Sequence, residues 1–325
     1  MERRLKRRSL VAAFAALPFA ERALADDWPA KPVRIVCPFT AGGSQDNIAR
    51  RLSAKLGEQL SQSFVIDNRS GAGGSIAADN VAKSPPDGYS VLLGNIGSHA
   101  LVPHLYAKPP YDPLKDFETA AWIGTQPNLL VCHPSFPHDT LPKLIAAAKA
   151  EPGKYSYGNS GVSTSPALTM ELLKQRTGVD VVSISYRGAA ASSADVVAGH
   201  IPMCIANVDS LTAQVKAGKL KPIASTGAQR SPAVLEAPTL VEAGLPDLVV
   251  TSWSLWSVPT GTAAPIKDKL RAATERALKD PDVIESMRLG GFEPGAMSVA
   301  DADAFIRSEH KRWGEVVRAA GIKLQ

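Results

Sequence analysis

The chain has 325 residues, with 36 Lys/Arg against 31 Asp/Glu and three cysteines. Residues 1–25 hold six Lys/Arg and two Asp/Glu, a net of +4, which leaves +1 of the formal +5 for residues 26–325. So near-neutral a body excludes nucleic acid or an anionic membrane surface held by bulk charge, and any acidic ligand has to be recognised by local geometry.

The first segment has the layout of an export signal. "MERRLKRRSL" is basic, "LVAAFAALPFA" is apolar but far too short to span a bilayer, and Ala23-Leu24-Ala25 forms an A-x-A cleavage site. Arg7-Arg8-Ser9-Leu10-Val11 resembles a twin-arginine signal, so the Sec and Tat routes both stay open. Residues 26–325 are many for one core, and two lobes are expected. Cys37, Cys132 and Cys204 sit in apolar runs and read as small buried residues; whether any two are bridged stays open.

Short β-rich runs then alternate with helical stretches. "VRIVCPF" reads as a buried strand, and Ile48, Leu52, Leu56 and Leu60 mark one face of the helix after it. "SFVIDNR" is a strand, "GAGGSIAADNVAKSP" a glycine turn with a helix, and "YSVLLGN" a third strand. The strand "NLLVCHP", the helix "LPKLIAAAKAEP", the strand "KYSYGNS" and the helix "SPALTMELLKQRTG" come next. "VDVVSISY", the helix "ASSADVVAGH", "IPMCIANV", "KLKPIAST" and "VVTSWSLWSVP" follow, and two helices close the chain. The alternation predicts an α/β fold with mixed, mainly parallel sheets. Trp253 and Trp256 fall on an expected crossing strand, where they belong in the core.

Two segments share one plan. "RIVCPFTAGGSQDNIARRL" and "KYSYGNSGVSTSPALTMELL" each run from strand through a small polar turn into a helix. Ser44 is placed to cap the first helix and Ser163 or Thr164 the second, with Pro166 in its first turn. Each turn presents free N–H groups and the positive end of a helix dipole. Two such ends facing across a cleft would hold a carboxylate without a lysine or arginine. Thr40, Ala41, Gly42 and Gly43 are the expected donors on one side, and Ser160, Gly161, Ser163 and Thr164 on the other. Taken alone, "TAGGSQD" fits an ordinary turn equally well, and Asp46 reads as a helix-end stabiliser rather than a ligand contact.

Other motifs fail on spacing. "GAGGS" at 71–75 lacks the third glycine of a dinucleotide loop, since position 76 is Ile76. "GNSGV" around Ser160 has Val162 where a nucleophile elbow needs glycine, and nothing supplies a general base; an exported serine hydrolase is the alternative reading. His99/His104 and His133/His138 are five apart, off any shared helical face, so neither metal nor cofactor is expected. Arg187 reads first as a solvated arginine at a cleft rim and second as a bidentate carboxylate clamp.

Eight stretches in order resemble the tripartite tricarboxylate transporter receptors, the Bug-type extracytoplasmic solute-binding proteins. They are "PFTAGGSQDNIARRL", "VIDNRSGAGGSIAADNVAKSPPDGYSVLLGN", "YDPLKDF", "YGNSGVSTSPAL", "ISYRG", "VKAGKLKPIA", "APTLVEAGLP" and "VTSWSLWSVPTGTAAP". The resemblance implies a periplasmic, two-lobed Venus-flytrap fold with two crossing strands, and no enzyme activity. Lobe 1 is expected over 26–128 plus 253–325 and lobe 2 over 129–252. A small organic carboxylate would be held by backbone amides and ordered waters at the turns matching Phe39–Gly43 and Gly158–Thr164. Gly94, Ser98, Tyr186 and Asn207 are expected as wall residues beside Phe39. The partners implied are a large and a small membrane subunit, with the receptor itself a monomer not inserted in the membrane; a ligand-sensing module for a membrane sensor kinase is a further alternative. The chain departs from the family pattern at Val102, Ala167 and Ala206. At 206 relatives carry a pocket acid, for which Asp209 is a shifted stand-in. Without that acid a ligand ammonium lacks its counter-charge, which points to a di-, tri- or aromatic carboxylate over an amino acid.

Overall fold

The computed structural model describes residues 27–321 apart from 296, so the expected signal peptide at 1–25 lies outside the described residues. Strand β1 (Val33–Cys37) feeds α1 (Ser44–Leu60), which buries Ile48, Leu52 and Leu56 as the periodicity predicts. β2 (Phe64–Asn68), α2 (Ser75–Ala82) and β3 (Ser90–Asn95) follow, with β2 and β3 flanking β1 in parallel. A wide helical turn, Gly97–Leu101, and the short α3 (Val102–Leu105) lead to β4 (Phe117–Cys132). Only the second half of that 16-residue strand was legible as "NLLVCHP".

Helix α4 (Leu141–Ala150) is followed by β5 (Ser156–Asn159), α5 (Ser165–Thr177) and β6 (Val182–Ser185). After them come α6 (Ala189–Val197), β7 (Met203–Asn207), α7 (Val208–Lys216) and β8 (Lys221–Ser225). The chain then returns through β9 (Thr251–Pro259) to α8 (Ala264–Ala277), α9 (Pro281–Leu289), the short β10 (Glu293–Pro294) and α10 (Val299–Ala320). Three helices, not two, thus close the chain. Their starts are chemically marked: Asp280 caps α9 by accepting from the N–H groups of Asp282 and Val283, and Ser298 caps α10 by accepting from Asp301 N–H.

Two crossing strands organise the sheets. Phe117–Pro127 of β4 pairs antiparallel with β9, and Asn128–Cys132 pairs antiparallel with β7. One strand therefore belongs to two sheets, and the change falls between Pro127 and Asn128. The first sheet runs β2-β1-β3-β9-β4 and the second β4-β7-β5-β6, with β8 and β10 also on β4. Parallel pairing is confined to the outer limbs, β1 with β2 and β3, and β5 with β6 and β7; the middle is antiparallel. The expectation of mainly parallel sheets is corrected to that extent, because both crossing strands run against their neighbours.

The core extends through this crossing. Trp253 and Trp256 are fully buried, and Trp253 stacks on Trp122 with centroids 6.0 Å apart. One apolar cluster joins Leu130 and Tyr157 of the second sheet and Leu168 of α5 to Trp122, Trp253 and Trp313. Burying such rings contributes several kcal/mol to holding the crossing rigid. The three cysteines are buried free thiols. Burial pushes Cys37 and Cys132 up to about 11 and Cys204 to about 12, which keeps all three as unreactive thiols at neutral pH.

Candidate binding cleft

The bend between β1 and α1 is built around Gly42, whose φ of +79° is strained for any residue with a Cβ. Gly43, not Ser44, occupies the N-cap position, and it caps with no side chain. The carboxylate of Asp46 does that work from inside the helix. It accepts from Gly42 N–H at 2.8 Å, Arg50 Nε at 2.8 Å and Asn68 Nδ2 at 2.8 Å. Burial alone would raise its pKa, but the bonds from Arg50, Gly42 and Asn68 outweigh burial and hold it below the ordinary carboxylate value. Asp46 is therefore the helix-end stabiliser read from the sequence. Ser44 turns instead to the buried Gln126 of β4, accepting from its Nε2 at 2.7 Å.

The bend between β5 and α5 uses Gly161, at φ +117°, for the same reason. Asn159 Oδ1 accepts from Gly161 N–H at 2.9 Å, and Thr164, the N-cap residue, donates its hydroxyl to Gly161 O at 2.7 Å. Pro166 sits in the first turn of α5, and no acid does.

Both bends line one cleft of about 890 Å³. Of the expected residues, Phe39, Thr40, Ala41, Gly42, Gly43, Ser160, Gly161, Ser163, Thr164, Tyr186, Arg187 and Asn207 are all on its wall. The two sides approach closely. A Cβ built on Gly73 would lie 1.9 Å from Ser163 Oγ, and one on Gly97 would lie 3.1 Å from Ser163 O. Only glycine at 73 permits that approach, which joins the segment before α2 to the bend before α5.

Three expected wall residues do not line the cleft. Gly94 faces the core, where a Cβ would meet His99 and Leu255. Ser98 is fully buried beneath the wall, hydrogen-bonded to Asn95 and His99. Gly158 lies behind the second bend, against Ile201, Ser192 and Tyr186. The end of β3 instead presents Asn95, Ile96 and Gly97, and the segment before α2 presents Ser70, Gly71 and Gly73. Period-two alternation places Asn95 opposite Gly94, so the face of β3 that carries Asn95 meets the cleft.

The donors are also fewer than expected. Gly42 N–H is taken by Asp46, Gly43 N–H points at Thr40 O (3.4 Å), and Gly161 and Thr164 N–H bond Asn159 and Gly161 O. The N–H groups of Thr40, Ala41, Ser160 and Ser163 have no partner among the described residues. First-turn N–H groups of both helices add to them, since an α-helix leaves its first N–H groups unbonded.

Two ionisable side chains of opposite sign line the cleft. Arg187 is exposed and makes no ion pair among the described residues. Asp209 stands in the first turn of α7, facing the hydroxyls of Ser44 and Ser210, and burial raises its pKa. Ala206 is fully buried and off the wall, so Asp209 is the acid that occupies this region. Tyr186 spends its hydroxyl on Asp195 Oδ2 at 2.7 Å and offers the cleft its ring; burial and that bond push it up to about 12. Among the described residues no group of three His/Cys/Asp/Glu could hold a metal ion, and no helix is long and apolar enough to cross a membrane.

Two sheets joined by crossing strands, with a cleft between them, define a two-lobed solute-binding protein. The chain belongs to the tripartite tricarboxylate transporter family receptors, whose profile matches residues 48–322. It is 34% identical over 303 residues to BugT of Bordetella pertussis, covering 93% of each chain. An R. palustris protein solved with adipate superposes with a TM-score of 0.85 at 37% identity, covering 91% of this chain and 99% of that one. MatC of Rhodopseudomonas palustris, solved with malate, gives 0.83 at 29% identity, covering 89% and 100%. The family consists of receptors rather than enzymes, which removes the hydrolase reading of Ser160.

Proposed function

We propose that this receptor is exported by the Sec or Tat route, loses residues 1–25, and captures a small organic carboxylate as a monomer. It delivers that solute to the large and small membrane subunits of a tripartite transporter. The ligand class is a di- or tricarboxylate or an aromatic carboxylate. The lobes are 26–128 with 253–325, and 129–252, hinged where β4 and β9 cross.

One observation carries the reading: the two glycine-bearing bends, from different sheets, line the same cleft, and the segment before α2 closes on the second bend at Gly73 and Ser163. Unspent N–H groups on both bends donate to an anion, the bare end of α5 adds attraction, and closure of the lobes removes the water that would screen them. Adipate and malate in related cleft proteins support the carboxylate class. Asp209 on the wall is a counter-charge open to a ligand ammonium, so the preference for a plain acid rests on adipate and malate in the related proteins. Calorimetric titration with adipate, malate, citrate, terephthalate, glutamate and aspartate tests the class. Micromolar or tighter binding of a plain acid is expected, and preference for an amino acid would overturn it.

A further inference from the structure

The amide of Asn95 ends β3 on the cleft wall and is only 3% exposed. Its Oδ1 accepts from Ser98 N–H at 3.2 Å, while its Nδ2 is buried with no partner among the described residues. The orientation is fixed, because turning the amide over would set two N–H donors face to face at Ser98. Ser98 is held in turn from several sides. It receives Asn95 N–H on its hydroxyl at 3.1 Å, that hydroxyl meets His99 Nδ1 at 2.9 Å, and its carbonyl accepts from Tyr111 at 2.7 Å. His99 reaches across to Ser257 Oγ at 2.8 Å. Burial lowers the His99 pKa to about 4, so the imidazole that closes this chain is neutral at physiological pH.

A folded chain rarely leaves a buried donor unspent, and one held fixed on a residue of the cleft wall is suited to a guest. We propose that Asn95 is a ligand-contacting specificity residue, its Nδ2 donating to an oxygen of the bound acid on the lobe-1 side of the cleft. The assignment rests on the receptor reading of the same cleft. A neutral, fixed donor selects for an oxygen acceptor at that point. It disfavours an analogue with a methylene or an ammonium there, since either leaves the amide unpaired.

The test compares wild type with Asn95→Ala and Asn95→Asp. A thermal-shift panel of adipate, malate, citrate and terephthalate selects the tightest-bound acid for wild type, and calorimetry with that acid follows on all three proteins. Loss of the contact should weaken binding at least about tenfold in Asn95→Ala, and about 100-fold in Asn95→Asp, where a carboxylate opposes the anion. Asn95→Ala also removes the acceptor of Ser98 N–H and should melt lower, while Asn95→Asp keeps that acceptor; an affinity loss in both variants with a circular-dichroism spectrum matching wild type separates a lost contact from a damaged fold. Unchanged affinity in both variants overturns the assignment and leaves the receptor reading standing. If wild type takes up no acid in the panel, the carboxylate reading of the cleft falls and this contact falls with it.

Discussion

The two bends are alike in backbone and opposite in charge balance. The first holds Asp46 in its helix, tied to Arg50 and Asn68, so its positive end is already neutralised by a buried carboxylate. The second has no acid in its first turn, and its hydrogen bonds are all uncharged. A charge-balanced bend gives shape, and a bare one gives pull. The first should therefore act through stability and the second through affinity.

The largest expected effect comes from placing an anion on the bare side. Ser163→Asp puts a carboxylate at the start of α5, beside Gly73, where it competes with the guest for the same N–H groups. Affinity should fall at least about 100-fold, roughly 3 kcal/mol. Ser163 is buried against Gly73, so the larger charged side chain also costs packing, and the affinity is read on protein whose circular-dichroism spectrum matches wild type. A variant that binds normally would erase the distinction between the bends.

Asp46→Asn should do the reverse. The amide keeps one acceptor oxygen for Gly42 N–H and Arg50 but loses the charge that pairs with Arg50 and sets an NH2 against Asn68 Nδ2, and urea unfolding should show a loss of about 2–3 kcal/mol. Affinity should move less than about tenfold. The pH dependence has a definite sign. A carboxyl whose folded pKa lies below its ordinary 3.8 stabilises the protein above that value, and the contribution is lost as pH falls through the folded pKa. The variant should lack that acid-side decline.

Asp209→Asn is the smallest change. Its raised pKa means the folded state bears a desolvation cost once the carboxyl ionises, absent below the ordinary 3.8 where folded and unfolded chains are both protonated. The variant should be slightly more stable at neutral pH and bind a plain dicarboxylate a few-fold tighter, about 1 kcal/mol or less. Weaker binding would mean that the acid faces a cationic group on the ligand.

Much of the site was legible because its signal is local: a buried strand, a glycine needing positive φ, and a helix start lie within ten residues of one another. The crossing was only half legible. Residues 117–127 are buried on both faces and show no alternation, and Gly124 carries a φ of +151° beside Glu293, where a Cβ would meet backbone at 2.2 Å. Such a bulge reads as a loop until the neighbouring strand is known. Asn95 was missed for a different reason: its importance lies in a bond it does not make, which only the packing of Ser98 and His99 reveals.

The most direct test is a crystal structure of the receptor with its tightest-bound acid. One carboxylate should lie about 2.7–3.1 Å from unspent N–H groups of both bends, Thr40 or Ala41 on one side and Ser160 or Ser163 on the other. An acid held by Arg187 alone, with both bends more than one water away, would contradict the account.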